Sequence, residues 1–296
     1  MPSRISVDPS GGYWLPELAI DVANLNYKYP DGTWALRNVS LKVYAGESVL
    51  LLGISGVGKS TLLMNLNGLL TPTKGTIHIF GKKVIDKNLK EIRRRVGFVF
   101  QNPENQLFCP TLWDDVAFGP INMGLPSQEV EKRVDWALKL VGLKAYAEKP
   151  PHHLSFGEKR RAAIATILSM EPDILLLDEP TANLDPKSVE NIINILRDIS
   201  SKGKTIIIAT HDVNILPQIT DRTIIMYKGK IKAVGPTTEI LSDVATLEKY
   251  GLKLPLVGQL FHNLESNHKL PLYGGLPITI GSAEERILEL LGRNKK

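Results

Sequence analysis

The chain has 296 residues, 43% of them hydrophobic and 23% charged, and its formal net charge at pH 7 is +5. This composition is ordinary for a soluble globular protein, and the length allows roughly two domains of ~150 residues each. No apolar run approaches the ~18–20 residues of a transmembrane helix, and residues 1–21 lack the apolar core of a signal peptide. The lone Cys109 excludes an internal disulfide and is compatible with the cytosol. The mild positive charge permits contact with phosphate-rich partners or a membrane surface but requires neither.

The first part of the chain predicts an irregular arm followed by strands and one helix. Residues 1–18 are rich in Pro and Gly, which predicts an N-terminal arm without regular structure. Strands are predicted over Ala19–Tyr29 and Leu36–Val43, with a turn between them. The apolar run Val49–Leu52 predicts a buried strand, and the leucines after it recur at helical spacing until Gly68, a typical stop signal.

Apolar strands and helices then alternate. The predicted elements are a hairpin over 75–85, a strand over 96–100, helices over 127–141 and 156–169, a strand over 174–177, a helix over 186–199, a strand over 205–209 and a hairpin over 223–234. This order predicts an α/β fold with a mostly parallel core sheet and an attached antiparallel β subdomain. From about Pro236 we expect a small C-terminal extension with two turns of helix, a Pro/Gly-rich stretch and a last helix over 282–291. Ser282 and Glu285 predict a capping box for that last helix.

The stretch GISGVGKST, residues 53–61, lies at a predicted strand-to-helix turn and fits the phosphate-binding pattern G-x-x-x-x-G-K-[ST]. Its glycines let successive backbone N–H groups point at one anion, which the helix N-terminus also attracts. Lys59 is expected to reach the β- and γ-phosphates and the Ser60 hydroxyl to ligate Mg²⁺. The alternative, a glycine-rich turn with a chance lysine, does not explain the flanking strand and helix. The nucleotide-binding positions predicted in this loop are Gly53, Ser55, Gly56, Gly58, Lys59, Ser60 and Thr61.

A second strand, over 174–177, ends in the acid pair Asp178 and Glu179. A P-loop enzyme holds its Mg²⁺ with an acid at the end of a neighbouring strand. Successive strand side chains point in opposite directions, so the two acids are expected to do different jobs. We expect Asp178 to face the metal and Glu179 to take a proton from the attacking water. The alternative is an acidic, solvated strand end.

Leu154-Ser155-Phe156-Gly157-Glu158 precedes an apolar helix. Taken alone, these residues predict a capping box with Ser155 at the N-cap and Glu158 at N3. In context, they follow the phosphate loop by about a hundred residues and precede the acid pair by about twenty.

This order of motifs resembles that of the ABC-type ATPases. Residues 154–158 resemble the family's signature motif, Leu-Ser-Gly-Gly-Gln. Phe156 and Glu158 depart from that motif, whereas the phosphate-facing Ser155 and Gly157 are kept. From this resemblance we expect a Gly157→Asp subunit to stay folded and to bind ATP but to show almost no turnover, because the added carboxylate would lie where the partner's γ-phosphate is bound.

Four further positions match elements of the same family. Gln101 matches the Q-loop glutamine, Asp185 lies in a segment similar to the D-loop, and His211 matches the switch histidine. Tyr29 matches the aromatic residue that stacks on adenine. For His211 a structural role, and for Tyr29 a place in the core, are the other interpretations. The resemblance covers roughly residues 19–235.

Finer similarities point to the energy-coupling-factor importers, which carry vitamins and transition metals. Residues 100–108 resemble their Q-loop, and residues 115–120 and 151–155 resemble the cobalt/nickel branch. Residues 251–255 and the last helix are also similar to that group, whose extensions help the ATPases to dimerise. His152 and His153 are interpreted as part of the approach to the signature, because a histidine pair without a nearby third ligand is weak evidence for a metal site.

The resemblance implies an ABC ATPase domain over 19–235 with an inserted helical subdomain at about 102–170, and a C-terminal extension over 236–296 for which it suggests a dimerising role. ATP would lie between the phosphate loop of one subunit and the signature of another in a head-to-tail dimer, of two copies or of paralogues. Mg²⁺ would be held by Ser60, Gln101 and Asp178, and the γ-phosphate by His211. Ser155 and Gly157 would complete the partner's site, and Asp185 would be a further nucleotide-binding residue.

We expect the segment that follows Gln101 to move when ATP is hydrolysed and to transmit that movement to the transporter. Residues 102–118, with Leu107, Phe108, Leu112 and Trp113, are predicted to receive a helix of an integral membrane subunit at the cytoplasmic face of the membrane. The alternative is an ordinary helical core. No nucleic acid partner is expected.

Two other functions remain as alternatives. An ABC ATPase acting on nucleic acid or the ribosome usually carries a long coiled coil or two ATPase units, and neither is visible here. A GTPase would carry an Asn-Lys-x-Asp motif, which this chain lacks, and neither a GTPase nor a small-molecule kinase explains residues 155–158.

Overall fold

The computed structural model describes residues 17–215, 217–268 and 275–292. The predicted irregular arm lies outside these residues up to position 16, and part of the Pro/Gly-rich stretch, at 269–274, also lies outside them. Residue 18 already belongs to the first strand.

The described strands are β1 (Leu18–Lys28), β2 (Trp34–Tyr44), β3 (Ser48–Leu52), β4 (Lys74–Ile79), β5 (Lys82–Lys83), β6 (Val96–Val99), β7 (Ile174–Asp178), β8 (Thr205–Thr210), β9 (Arg222–Tyr227) and β10 (Lys230–Pro236). The described α-helices are α1 (Lys59–Leu66), α2 (Leu89–Arg95), α3 (Leu112–Asn122), α4 (Ser127–Leu140), α5 (Phe156–Leu168), α6 (Pro186–Ser201), α7 (Thr237–Ser242), α8 (Val244–Lys249), α9 (Leu256–His268) and α10 (Ile280–Leu290). None of the helices in these ranges is both long and apolar enough to cross a bilayer.

The larger sheet has the order β10-β9-β3-β8-β7-β6. Its strands pair in parallel except for β10, which runs antiparallel to β9 at one edge. The prediction of a mostly parallel core sheet is therefore confirmed. The order of strands in the sheet differs from the expectation in one respect. The acid-bearing strand β7 was expected beside the phosphate-loop strand β3, but β8 lies between them.

The smaller sheet has the order β2-β1-β4-β5 and is antiparallel throughout. This confirms the attached antiparallel β subdomain. The β4–β5 hairpin is shorter than predicted, because β5 contains only Lys82 and Lys83.

Two apolar cores cover the two faces of the parallel sheet. Side chains alternate along β3, so Leu50 and Leu52 join one core while Val49 and Leu51 join the other. The first core also contains the buried faces of α3, α4 and α5. The second joins the parallel sheet to the antiparallel one. Both faces of the sheet are thus covered, and the strand ends are left to carry the polar groups.

Three of the described helices are absent from the sequence-based prediction. The helix α3 contains Pro120, a residue that argues against a helix, but its start is fixed by the Thr111 hydroxyl, which accepts from the Asp114 N–H at 3.1 Å. The short α2 was expected only as an approach to β6. The helix α9 was expected to be irregular because of Pro255 and Gly258, yet Pro255 lies just before the helix, and Gly258 is buried within it.

The prediction for the cap of the last helix is wrong. The helix α10 begins at Ile280, and Thr279 is its N-cap: the Thr279 hydroxyl accepts from the Ser282 N–H at 3.1 Å. The Ser282 hydroxyl in turn accepts from the Thr279 N–H, so Ser282 occupies N3 and not the cap. Here the Ser282 hydroxyl takes the place that a Glu or Gln side chain takes in the usual capping box. The helix therefore begins at Ile280, two residues before the predicted start at Ser282.

Candidate functional site

The phosphate loop links β3 to α1 through a backbone that requires glycine. Gly56 and Gly58 have φ of 79° and 104°, in the left-handed region that glycine adopts without strain. A Cβ atom at Gly53 would lie 2.6 Å from the Met226 carbonyl oxygen, and one at Gly58 would lie 2.6 Å from that of Ala35. The loop therefore packs tightly against β9 and β2 on one side while Ile54, Ser55 and Gly56 remain exposed on the other.

Lys59 opens α1 and is only 6% exposed. Its ammonium donates to the carbonyl oxygens of Gly53 at 2.6 Å and Ile54 at 3.2 Å, so it lies along the inside of the loop. It also lies 3.4 Å from Glu179 Oε1. The loop lysine and the second acid of the acid pair are thus brought together, although they lie far apart in the chain.

Asp178 ends β7 and is 4% exposed. Burial raises the pKa of its carboxyl, and a hydrogen bond from the Ser60 side chain opposes that effect. Its Oδ1 atom is buried without any hydrogen-bond partner among the described residues. A buried carboxylate with an unused oxygen beside a serine hydroxyl fits a divalent cation that prefers oxygen ligands.

Within the described ranges, no three His, Cys, Asp or Glu side chains are grouped so as to hold an ion. Mg²⁺ usually takes one or two carboxylates and completes its shell with phosphate oxygens and water, so the Asp178–Ser60 pair suits Mg²⁺ bound together with a nucleotide. His152 and His153 pack edge to face, with ring centroids 4.2 Å apart.

Replacing Asp178 by Asn is expected to stabilise the nucleotide-free protein. The change removes a buried charge whose Oδ1 has no partner within the described part of the chain, and such groups cost about 1–3 kcal/mol. The midpoint of thermal unfolding should rise by a few degrees, while the further rise on adding Mg²⁺ and ATP should shrink. The exposed Asp198 supplies the matched control, since Asp198→Asn makes the same chemical change on the surface of α6. A lower midpoint for Asp178→Asn without nucleotide would contradict this account of the carboxylate.

Glu179 follows β7 with φ of 47° and is held by three neighbours. The Thr210 hydroxyl donates to its Oε2 at 2.8 Å, and His211 Nδ1 lies 2.9 Å from its Oε1, beside Lys59. Thr210 ends β8, and β7 and β8 pair in register, with Asp178 opposite Ala209. The sheet therefore brings the acid pair and His211 to one edge, where the phosphate loop also begins. The His211 side chain is 55% exposed, so one face of this group is open.

Ser155 and Glu158 form the predicted capping box of α5. The Ser155 hydroxyl accepts from the Glu158 N–H at 3.3 Å, and the Glu158 carboxylate accepts from the Ser155 N–H at 2.8 Å. Among the described residues, no hydrogen bond or ion pair joins Ser155 to the phosphate loop of its own chain. The capping role and a role toward another subunit are therefore both compatible with this geometry.

Gly157 has an intramolecular role that the sequence did not predict. A Cβ atom there would lie 2.4 Å from Ser188 Oγ and 3.0 Å from Ser188 Cβ. Ser188 is 8% exposed in the first turn of α6, where its N–H donates to the Asp185 carboxylate at 3.0 Å. The expectation that an added side chain at Gly157 leaves folding intact is therefore wrong, because it would push α5 away from α6.

The other three predicted residues, Asp185, Tyr29 and Gln101, differ in their contacts and exposure. Asp185 caps α6, and hydrogen bonds from the Ser188 side chain and backbone lower the pKa of its carboxyl. The Tyr29 hydroxyl lies 2.9 Å from Thr61 Oγ1, so this half-buried ring is tied to the first turn of α1. Gln101 is exposed two residues after β6. Their roles toward a nucleotide stay predictions.

Arg160 lies beside the site and was not predicted from the sequence. It is 1% exposed on α5, and its guanidinium donates to the carbonyl oxygens of Phe100, at 3.1 Å, and Gln101. Burial lowers the pKa of this group, and the charges of Asp178 and Glu179 oppose that effect. It thus ties the signature helix to the base of the Q-loop. Its spacing from Gly157 and Ile164, both buried on α5, is a helical signal that could have placed Arg160 on the buried face of the helix, although not against residues 100 and 101.

A phosphate-binding loop between a parallel strand and a helix, with an acid pair and a histidine at the same sheet edge, defines the class of P-loop ATPases. Residues 36–182 match the family model described as ABC transporter. The chain is 49% identical over 274 residues to the energy-coupling factor transporter ATP-binding protein EcfA of Methanocaldococcus jannaschii, covering 92% of this chain and 98% of the relative. It is 46% identical to EcfA of Methanosphaera stadtmanae, covering 92% and 99%. The chain therefore belongs to the ABC transporter family of ATPases, which bind ATP with Mg²⁺.

Solved structures support the same assignment. CbiO1 from Clostridium perfringens, part of the ABC transporter complex CbiONQ, superposes with a TM-score of 0.71 at 43% identity and covers 83% of this chain and 99% of that one. The ATP-binding cassette MJ0796, in a dimer bound to ADP and Pi, superposes with a TM-score of 0.68 at 33% identity, covering 74% and 98%. The predicted fold class is thus confirmed.

Proposed function

We propose that this chain is the ATP-hydrolysing subunit of an importer of the energy-coupling-factor type, with a transition-metal ion such as cobalt or nickel, or a vitamin, as the cargo. It works as a head-to-tail dimer bound to an integral membrane subunit at the cytoplasmic face of the membrane. The names of its relatives support the importer type. The observation that carries the proposal is the position of Glu179, held between Lys59, Thr210 and His211, while Ser155 makes no polar contact with the phosphate loop within the described part of its own chain.

The residues divide the chemistry between binding, metal ligation and proton transfer. Lys59 and the backbone N–H groups of the loop bind the β- and γ-phosphates. Ser60, Gln101 and Asp178 would hold Mg²⁺, which when bound neutralises charge on the phosphate oxygens. Glu179 accepts the proton of the attacking water. His211, hydrogen-bonded to Glu179, orients that carboxylate and faces the γ-phosphate.

The other half of each site comes from the partner subunit in this proposal. The N-terminus of α5, with Ser155 and Gly157, faces the phosphates bound by the other subunit, and Asp185 lies beside it. Two helix N-termini then approach one polyanion from opposite sides. Closure of the dimer is required to complete the site, so hydrolysis is gated by closure.

An exposed apolar surface near the Q-loop supports a membrane partner. Phe108, Phe118 and Ile121 are 66%, 48% and 56% exposed, and the two rings pack edge to face with centroids 5.0 Å apart. We call these three residues the docking surface. It differs from the predicted cluster, because Leu112 is fully buried and Leu107 and Trp113 pack against the core. Exposed aromatic side chains of this kind are common anchors of protein interfaces.

Charged substitution of the docking surface tests the proposed function. We expect Phe118→Asp to lower co-purification of membrane subunits at least about tenfold, since burying one unpaired charge at an interface costs more than ~1.4 kcal/mol. Basal ATP turnover should be unchanged. The control is Val234→Asp, at a side chain on β10 that is also 48% exposed. Equal recovery of membrane subunits with Phe118→Asp and wild type would contradict the docking surface, and recovery of no membrane subunit with wild type would contradict the proposed function.

A further inference from the structure

The positive charge of the chain is concentrated in one segment. Residues 74–95 carry eight basic and two acidic side chains, a formal charge of +6, whereas the whole chain carries +5. The rest of the molecule is therefore slightly negative. The basic residues are Lys74, Lys82, Lys83, Lys87, Lys90, Arg93, Arg94 and Arg95.

Most of these cations are exposed and form no ion pair with a carboxylate among the described residues. Lys82 pairs with Glu91, and Arg95 pairs with Asp173 at 2.6 Å. The other six are exposed, and within the described ranges none of them lies within 4.0 Å of a carboxylate oxygen. They lie on β4, on β5, in the turn that follows β5 and on α2. We call these six residues the basic surface: Lys74, Lys83, Lys87, Lys90, Arg93 and Arg94.

The basic surface is continuous with the docking surface. The Arg94 guanidinium donates to the carbonyl oxygen of Met123 at 3.0 Å, and Met123 is the C-cap of α3. The same helix carries Phe118 and Ile121 of the docking surface. A membrane subunit seated on the docking surface would therefore bring the basic surface toward the lipid around it.

We propose that the basic surface binds the anionic phospholipid headgroups of the membrane beside the transporter subunit. The inference rests on the proposed function, which places the docking surface at the membrane. Clusters of four to eight exposed Lys and Arg next to a membrane are suited to anionic lipid, because each adds electrostatic attraction to the charged leaflet. No apolar insertion is needed, since no large apolar side chain of residues 74–95, all of them described, is strongly exposed.

Nucleic acid is the other polyanion that such a surface could bind, but the side chains do not favour it. Proteins that bind single strands combine cations with exposed aromatic rings on which bases stack. Phe80 is the aromatic ring of this segment, apart from the His78 imidazole. It is half-buried, with the Arg95 guanidinium carbon 3.8 Å from its centroid. Because the basic surface offers positive charge but no exposed aromatic ring for stacking, it is better suited to lipid headgroups than to nucleic-acid bases.

The test is co-sedimentation of the full chain with vesicles of phosphatidylcholine alone or mixed with phosphatidylglycerol. We expect binding only to the mixed vesicles, weakened by salt and not competed by inorganic phosphate at equal ionic strength. The variant Lys83→Glu/Lys87→Glu/Lys90→Glu should lose at least about tenfold in affinity. The control is Lys230→Glu/Lys232→Glu/Lys253→Glu, which makes the same charge change at exposed positions elsewhere.

Equal vesicle binding by the two triple variants would overturn the proposal. So would competition by inorganic phosphate, which would indicate a small-anion site. Binding of a labelled RNA oligonucleotide that depends on the basic surface, with vesicle binding unchanged, would assign the surface to nucleic acid instead. ATP turnover and membrane-subunit recovery are measured on the same proteins, so failure of the lipid proposal is distinguishable from failure of the proposed function.

Discussion

Glu179→Gln is expected to lower ATP turnover by roughly 10²–10⁴-fold while ATP binding is retained. Glutamine keeps the size of the side chain and a hydrogen bond to Thr210 or His211, which lie 2.8 and 2.9 Å from the carboxylate. It cannot accept a proton from water. Removing the negative charge also frees Lys59, now 3.4 Å from Glu179 Oε1, to bind phosphate.

Because opening of the dimer follows hydrolysis in this account, the Glu179→Gln protein should accumulate as a closed dimer when ATP is added. Turnover is measured by phosphate release and dimerisation by sedimentation. Glu190→Gln, at an exposed position of α6, is the matched control and should behave as wild type. Wild-type turnover in Glu179→Gln would reassign the general base.

Ser155→Asp is expected to abolish most turnover without disturbing the fold of the subunit. Aspartate caps a helix about as well as serine, so α5 should keep its start at Phe156. In the proposed dimer, however, the new carboxylate faces the γ-phosphate of the nucleotide bound to the other subunit. The variant loses the contact of the Ser155 hydroxyl with the γ-phosphate, and its carboxylate also repels that phosphate. Turnover should therefore fall by roughly 10²–10³-fold or more.

Ser155→Asn is the control for this prediction, because asparagine is also a good cap but adds no charge. Both variants should unfold at the wild-type temperature and bind ATP as single subunits, and only the Asp variant should fail to dimerise with ATP. Position 155 is a better choice than Gly157, where any Cβ atom would lie 2.4 Å from Ser188 Oγ. Normal turnover in Ser155→Asp would show that this helix start only caps itself.

The elements with strong local signals were predictable from the sequence. The phosphate loop was recognisable because its glycines, lysine and serine are contiguous and flanked by apolar runs. The buried strands β3, β7 and β8 were recognisable because each is a short run of Leu, Ile or Val. The capping box of Ser155 and Glu158 was also predicted and is present.

Features that depend on contacts between distant segments were not predictable. Nothing local to Gly157 indicates that Ser188 packs against its Cα atom, and nothing local to Arg160 indicates that it binds the carbonyl oxygens of the Q-loop. The helix α3 was missed because Pro120 and Gly119 weaken the helical pattern, whereas packing of its buried side chains into the core stabilises it. The position of β8 between β3 and β7 likewise follows from the sheet as a whole.

In the proposed dimer each ATP site joins the phosphate loop of one subunit to the signature of another, and this arrangement can be tested by cross-linking. In a Cys109→Ser, Glu179→Gln background, one chain carries Ser55→Cys and a second carries Phe156→Cys; both positions are exposed. A disulfide requires Cα atoms within about 7 Å. We expect a disulfide-linked dimer when the two chains are mixed with ATP, and none without ATP or with either chain alone. Cross-linking between like cysteines, or no cross-link in the mixture with ATP bound, would contradict it.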